Sequence, residues 1–138
     1  MLHSSVIKKQ LCYCLLITGP AYGNQRSSSA LQFAKAVFHS GHYIQTVFFY
    51  QNGVYNANSF TISASDELNL VESWLSLAQT YNVSLHLCVT SALRRGIINM
   101  TQSLQFNKLG NNLELGFQLS GLGFLGETLL QCDRLIQF

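Results

Sequence analysis

Apolar and polar positions alternate along this chain in blocks that switch between strand-like and helix-like spacing. Residues 11–18 form a continuous apolar run, the pattern of a strand covered on both faces. Gly19-Pro20-Ala21-Tyr22-Gly23 interrupts it, and Ser27–Ser29 offer caps for a helix. Ala30, Leu31, Phe33, Ala34, Val37 and Phe38 then follow helical spacing with one face buried, and Gly41 supplies a stop. Residues 43–50 (YIQTVFFY) are β-branched and aromatic, which predicts a second strand. The Asn-, Gly- and Ser-rich residues 51–63 predict a long loop outside the core. Ser65 caps the next expected helix, with Asp66 and Glu67 in its first turn and Leu70, Val71, Trp74, Leu75, Ala78 and Tyr81 as its buried stripe. Residues 83–89 (VSLHLCV) predict a third strand, followed by a short helix opened by Thr90 or Ser91 and weakened by Gly96. Residues 98–112 are polar and fit neither period. A short strand at 117–119, a helix at 122–131 and a last strand at 133–138 complete the pattern.

Strands separated by helices require crossover connections, so the expected fold class is α/β: one layered domain with a five-stranded, mainly parallel sheet flanked by helices. That domain spans residues 11–138, after an N-terminal extension at 1–10 expected to be disordered. Lys8 and Lys9 ahead of the apolar run mimic the start of a secretory signal. Cleavage there would delete a central strand, so the run is read as part of the fold. It is also far short of the roughly 20 apolar residues that a membrane-spanning helix needs.

Composition sharpens this picture. Charged residues are 10% of the 138, against about 25% in ordinary soluble domains, while 48% are hydrophobic. Disorder is excluded, and a surface partly covered by partner subunits is expected. The net charge of +2 comes from scattered residues with no basic stripe, which argues against direct binding of tRNA or other nucleic acid. Four cysteines lack both the density of a disulfide scaffold and the spacing of a zinc site, so a reduced, cytoplasmic setting is expected.

In open parallel sheets, chemistry gathers beyond the carboxyl ends of the strands, here residues 19–28, 51–64 and 88–96. Cys88 is the leading candidate. It ends the third expected strand just before a helix start, where backbone N–H groups favour a thiolate and prepare a nucleophile or sulfur carrier. Arg94 and Arg95 follow within two turns and add positive potential. Ser84, His86 and Cys88 share one strand face, but Cys88 and His86 stand about 6.5 Å apart, too far for a direct hydrogen bond. His86 is therefore expected to be a core residue rather than a base. Cys12, Cys14 and Cys132 are expected to pack structurally. The first loop lacks the Lys-Ser/Thr ending of a phosphate loop and the glycine spacing of a dinucleotide site, which disfavours a flavodoxin-like nucleotide binder. Gly19 and Tyr22 in that loop, and Tyr55 in the next, are expected to wall a Cys88 pocket.

The segments ITGPAYGNQRSSSALQFA (17–34), VFFYQNGVYNAN (47–58), SASDELNLV (63–71), CVTSALRRGI (88–97) and LSGLGFLGETLLQCDRLIQF (119–138) together resemble the DsrE/DsrF-like sulfur-relay family. The resemblance runs from about Leu15 to Phe138 in order. It implies a sulfurtransferase that holds sulfur as a persulfide on Cys88, supported by Thr90, Ser91, Arg94 and Arg95, with no cofactor and no metal. It further implies assembly with TusB and TusC into a heterohexamer with two copies of each subunit, TusA as sulfur donor, TusE as acceptor, and 2-thiolation of a tRNA wobble uridine as the destination. A DsrE-type carrier of dissimilatory sulfur oxidation and a non-catalytic subunit of the same assembly are the alternatives.

Overall fold

The computed structural model describes residues 9–138, so most of the expected extension at 1–10 lies outside the described residues. Five strands and five helices follow one another: β1 (Cys12–Ile17), α1 (Arg26–His39), β2 (Tyr43–Phe49), α2 (Leu70–Tyr81), β3 (Ser84–Cys88), α3 (Val89–Arg94), α4 (Met100–Gln105), β4 (Phe117–Ser120), α5 (Leu122–Gln131) and β5 (Arg134–Gln137). The sheet order is β4-β3-β2-β1-β5, and every pairing is parallel. β1 is thus an interior strand, which explains its unbroken apolar sequence CYCLLI: both of its faces are covered.

Alternation along the strands divides the side chains between two layers. Leu15, Ile17, Ile44, Val47, Phe49, Leu85, Leu87 and Phe117 join one core cluster with Ala30, Leu31, Ala34 and Val37 of α1 and Leu70, Val71, Trp74 and Leu77 of α2. Trp74 is fully buried and meets Phe49 edge-on, with ring centroids 5.3 Å apart. Cys14, Phe48 and His86 take the opposite face, where Phe124 of α5 stacks on His86. A register shift between Tyr13 and Cys14 leaves Gln45 as an extra residue in β2.

Three expectations are corrected. Residues 51–63 are not all loop: Gln51–Ala57 form a 3-10 turn whose Gly53, Val54, Asn56 and Ala57 are buried. Gly53 presses so closely on β1 that a Cβ there would overlap the Ile17 carbonyl oxygen. Second, α2 starts at Leu70 rather than near Ser65, because the Asn69 side chain accepts the Glu72 N–H at 3.2 Å and so caps it. Third, Ser27–Ser29 lie inside α1 and do not cap it: the Ser27 hydroxyl turns inward and reaches the Gly19 and Pro20 carbonyls at 3.0 and 2.9 Å. The polar 98–112 stretch opens with α4, whose N-terminus is capped by a reciprocal capping box between Asn99 and Gln102. Gly41 follows α1 with φ +86°, as its expected stop requires.

Candidate functional site

The carboxyl ends of β2, β3 and β4 open into one cavity of about 550 Å³. Each wall comes from a turn that follows a strand. Tyr50, Gln51 and Asn52 extend from β2, and Gly121 and Leu122 lead from β4 into α5. Cys88 itself ends β3 and precedes α3, which adds Val89, Thr90, Ser91 and Arg94, with Arg95 just beyond. Cys88 is 4% exposed and lines this cavity.

The walls are tied together by polar contacts. Gln51 holds the left-handed backbone conformation, φ +52°, which a non-glycine residue adopts at a cost. Its N–H donates to the Ser91 hydroxyl oxygen at 3.0 Å, and that bond fixes the strained turn against α3. Arg95 adds a second tie: Nε donates to Asn52 Oδ1 at 2.8 Å and Nη1 to the Ser91 carbonyl at 3.1 Å. Arg94 lines the same cavity from α3. The outcome is a buried thiol in a cavity that Arg94 and Arg95 also line. Two cationic side chains on the lining favour entry of an anionic reactant.

Five of the expected site residues meet here: Cys88, Thr90, Ser91, Arg94 and Arg95. Gly19, Tyr22 and Tyr55 do not line this cavity. The Gly19 carbonyl accepts from Ser27 and Asn56 in the buried layer beneath the first loop. The Tyr22 hydroxyl donates to the Leu68 carbonyl at 2.8 Å and borders a separate shallow cavity. Tyr55 sits on the outer side of the 3-10 turn, 37% exposed. Gly121 and Leu122 were not foreseen, since nothing in a sequence says which strand lies beside β3. The other thiols are elsewhere. Cys12 and Cys14 are buried on β1 and Cys132 follows α5; burial pushes the Cys14 thiol up to about 12, and the neighbouring Cys132 and Cys12 add to the shift.

His86 lies 6% exposed on the Cys88 face of β3. Its Nδ1 is 2.7 Å from the Ser120 hydroxyl oxygen, and its ring stacks on Phe124 with centroids 4.0 Å apart. Desolvation holds its proton affinity below the ordinary histidine value. The sequence identified His86 as a core residue, but gave no sign of its partner Ser120. No group of three or more His, Cys, Asp or Glu side chains suited to a metal ion exists among the described residues.

Comparison with known proteins adds a consistent result. Residues 12–138 match the DsrE/DsrF-like family. Over 128 residues the chain is 56% identical to the Sulfurtransferase TusD of Sodalis glossinidius (strain morsitans), covering 93% of this chain and 98% of that protein. The Sulfurtransferase TusD of Pectobacterium carotovorum subsp. carotovorum (strain PC1) is 55% identical over 128 residues, 93% of this chain and 99% of its own. Among solved structures, the ychN protein from E. coli superposes with a TM-score of 0.70 at 20% identity, over 94% of this chain and 100% of that one, a likeness of fold.

Proposed function

This chain belongs to the DsrE/DsrF-like family and is a sulfurtransferase, and from that premise we propose that it carries sulfur as a persulfide on Cys88. The observation behind this reading is the position of Cys88: of the four cysteines, it is the one that lines the cavity at the carboxyl edge of the sheet. In the proposed reaction the Cys88 thiolate attacks the terminal sulfur of a donor Cys–S–SH. A new S–S bond forms on Cys88, the donor's S–S bond breaks, and the donor sulfur leaves as a thiolate. Attack by an acceptor thiolate on the Cys88 persulfide repeats the exchange and restores Cys88. Arg94 and Arg95 line the cavity in which the exchange takes place, and the cavity shields the loaded persulfide from small thiols.

In this reading the donor is of the TusA type, the acceptor of the TusE type, and the sulfur is destined for the 2-thio group of a tRNA wobble uridine. The chain works in the cytoplasm within a heterohexamer containing two copies each of this chain, TusB and TusC. Supporting such an assembly, the surface carries large exposed apolar side chains, among them Ile62, Leu109, Leu115 and Leu130. The curated relatives named TusD favour the tRNA route over dissimilatory sulfur oxidation.

The test is intact-protein mass spectrometry on the chain co-purified with its TusB- and TusC-type partners. The sample is incubated with a cysteine desulfurase, cysteine and a TusA-type donor. A gain of one sulfur atom that disappears with reductant and in Cys88→Ser is expected. An intact complex with an active donor and no added sulfur would reduce the chain to a non-catalytic subunit.

A further inference from the structure

The transfer just outlined leaves open where the Cys88 thiol proton goes. Cys88 and His86 face the same side of β3, about 6.5 Å apart along the strand, so they do not touch directly. The neighbouring strand fills the gap. The parallel register places Ser120 of β4 beside Cys88 and Gln118 beside His86. Adjacent strands lie about 4.8 Å apart, so the Ser120 hydroxyl and the Cys88 thiol occupy neighbouring positions on one face. That same hydroxyl oxygen is 2.7 Å from His86 Nδ1. Phe124 of α5 stacks on the imidazole at an interplanar angle of 25° and fixes its plane. Phe48 of β2 is the residue beside His86 in register on its other side. The ring is therefore flanked by aromatic carbon and has Ser120 as its polar contact toward the cavity end of the sheet. No charged group contributes to its lowered proton affinity, which comes from burial alone.

We propose that Ser120 and His86 form a proton relay for Cys88. The proposal rests on the carrier reading of Cys88. As the thiol passes its proton to the Ser120 oxygen, the Ser120 hydroxyl proton moves to His86 Nδ1. The freed sulfur electron pair forms the new S–S bond, the donor's S–S bond breaks, and its electron pair leaves on the donor sulfur. The proton on His86 returns through Ser120 to that departing thiolate. One S–S bond is made and one is broken, so no oxidant or reductant is required. In the relay Ser120, the register neighbour of Cys88, is the group that takes the thiol proton, and His86 acts through it.

A serine that merely satisfies a buried ring predicts different behaviour from a relay. The experiment measures the rate of Cys88 alkylation by iodoacetamide against pH, read by peptide mass spectrometry, in the chain co-purified with its partners. His86→Asn keeps a hydrogen-bonding side chain toward Ser120 but removes the proton acceptor. Ser120→Ala keeps the imidazole and removes the bridge. The wild-type rate should show a shoulder on the acid side of His86's ordinary 6.5. Both variants should lose it and react about tenfold or more slowly at neutral pH. The double variant should be no slower than the slower single one. Variant profiles within about twofold of wild type over the whole pH range would overturn the relay. If His86→Asn does not fold, Ser120→Ala and the wild-type shoulder decide the matter. Sulfur loading in the same preparations separates the two claims: loading with unmoved profiles overturns the relay alone, and no loading on Cys88 overturns the carrier reading and the relay with it.

Discussion

One buried amide joins segments that are distant in sequence. Asn56 Nδ2 donates to the Gly53 carbonyl at 2.9 Å, the Ser27 hydroxyl oxygen at 3.0 Å and the Gly19 carbonyl at 3.3 Å, and its Oδ1 accepts the Trp74 indole N–H at 3.1 Å. The turn after β1, the start of α1, the 3-10 turn and α2 all meet at this side chain, which is fully buried. Asn56→Ala leaves the indole N–H and at least one carbonyl buried without a partner. Each such group costs about 1–3 kcal/mol, so a loss of roughly 3 kcal/mol is expected. Urea titration checks it: the midpoint should fall with little change in slope. This residue also shows where sequence reading stopped. An asparagine among Gly, Asn and Tyr looks the same whether it faces water or satisfies a buried network, so residues 51–57 read as loop. Cys88 was legible for the opposite reason: a cysteine ending an apolar strand ahead of a helix start stands out on position alone.

Element by element, the interior was the readable part and the ends were not. Apolar runs located β1, β2 and β3, because burial forces that pattern on the sequence, whereas β4 and β5 are short strands with most residues not buried. Helix starts depend on a single side chain reaching back to one N–H, and several residues near α2 qualify by type. Asn69 holds that position, whereas Ser65 lies a full turn earlier in the loop, where the Glu67 carboxylate accepts the Ala64 N–H at 3.2 Å. Asn69→Ala should therefore cost about 1 kcal/mol, while Ser65→Ala stays within experimental error. Paired thermal or urea melts of the two variants decide between the cap positions. The β3–β4 register that brings Ser120 beside Cys88 was not legible at all, since strand order across a sheet leaves no local trace in the chain.

Across the whole molecule, two buried titratable groups shape the dependence of stability on pH. His86 has a lowered proton affinity when folded, so below its ordinary 6.5 the unfolded chain binds a proton that the folded one refuses. Stability is retained above that value and lost as the solution becomes acidic. Cys14 behaves in the other sense. Its thiol is pushed from 9.0 to about 12 on folding, so above 9.0 the unfolded chain releases a proton that the folded one keeps. Stability is then lost progressively as pH rises from 9.0 toward about 12. Urea midpoints should accordingly be highest between these limits and decline on both sides. His86→Asn should flatten the acid limb, and Cys14→Ala the alkaline one.

The place of β1 in the sheet bears on how the polypeptide comes off the ribosome. Its inner neighbour β2 follows closely in sequence, but its outer neighbour is β5, and the Asp133 N–H reaches the Cys12 carbonyl across nearly the entire chain. Until residues 134–137 emerge, a nascent chain that has already formed β1, β2 and β3 exposes the bare edge of CYCLLI to its surroundings. An apolar edge strand of that kind pairs readily with other chains. Vectorial synthesis therefore leaves the outer edge of β1 unpaired until residues 134–137 are made.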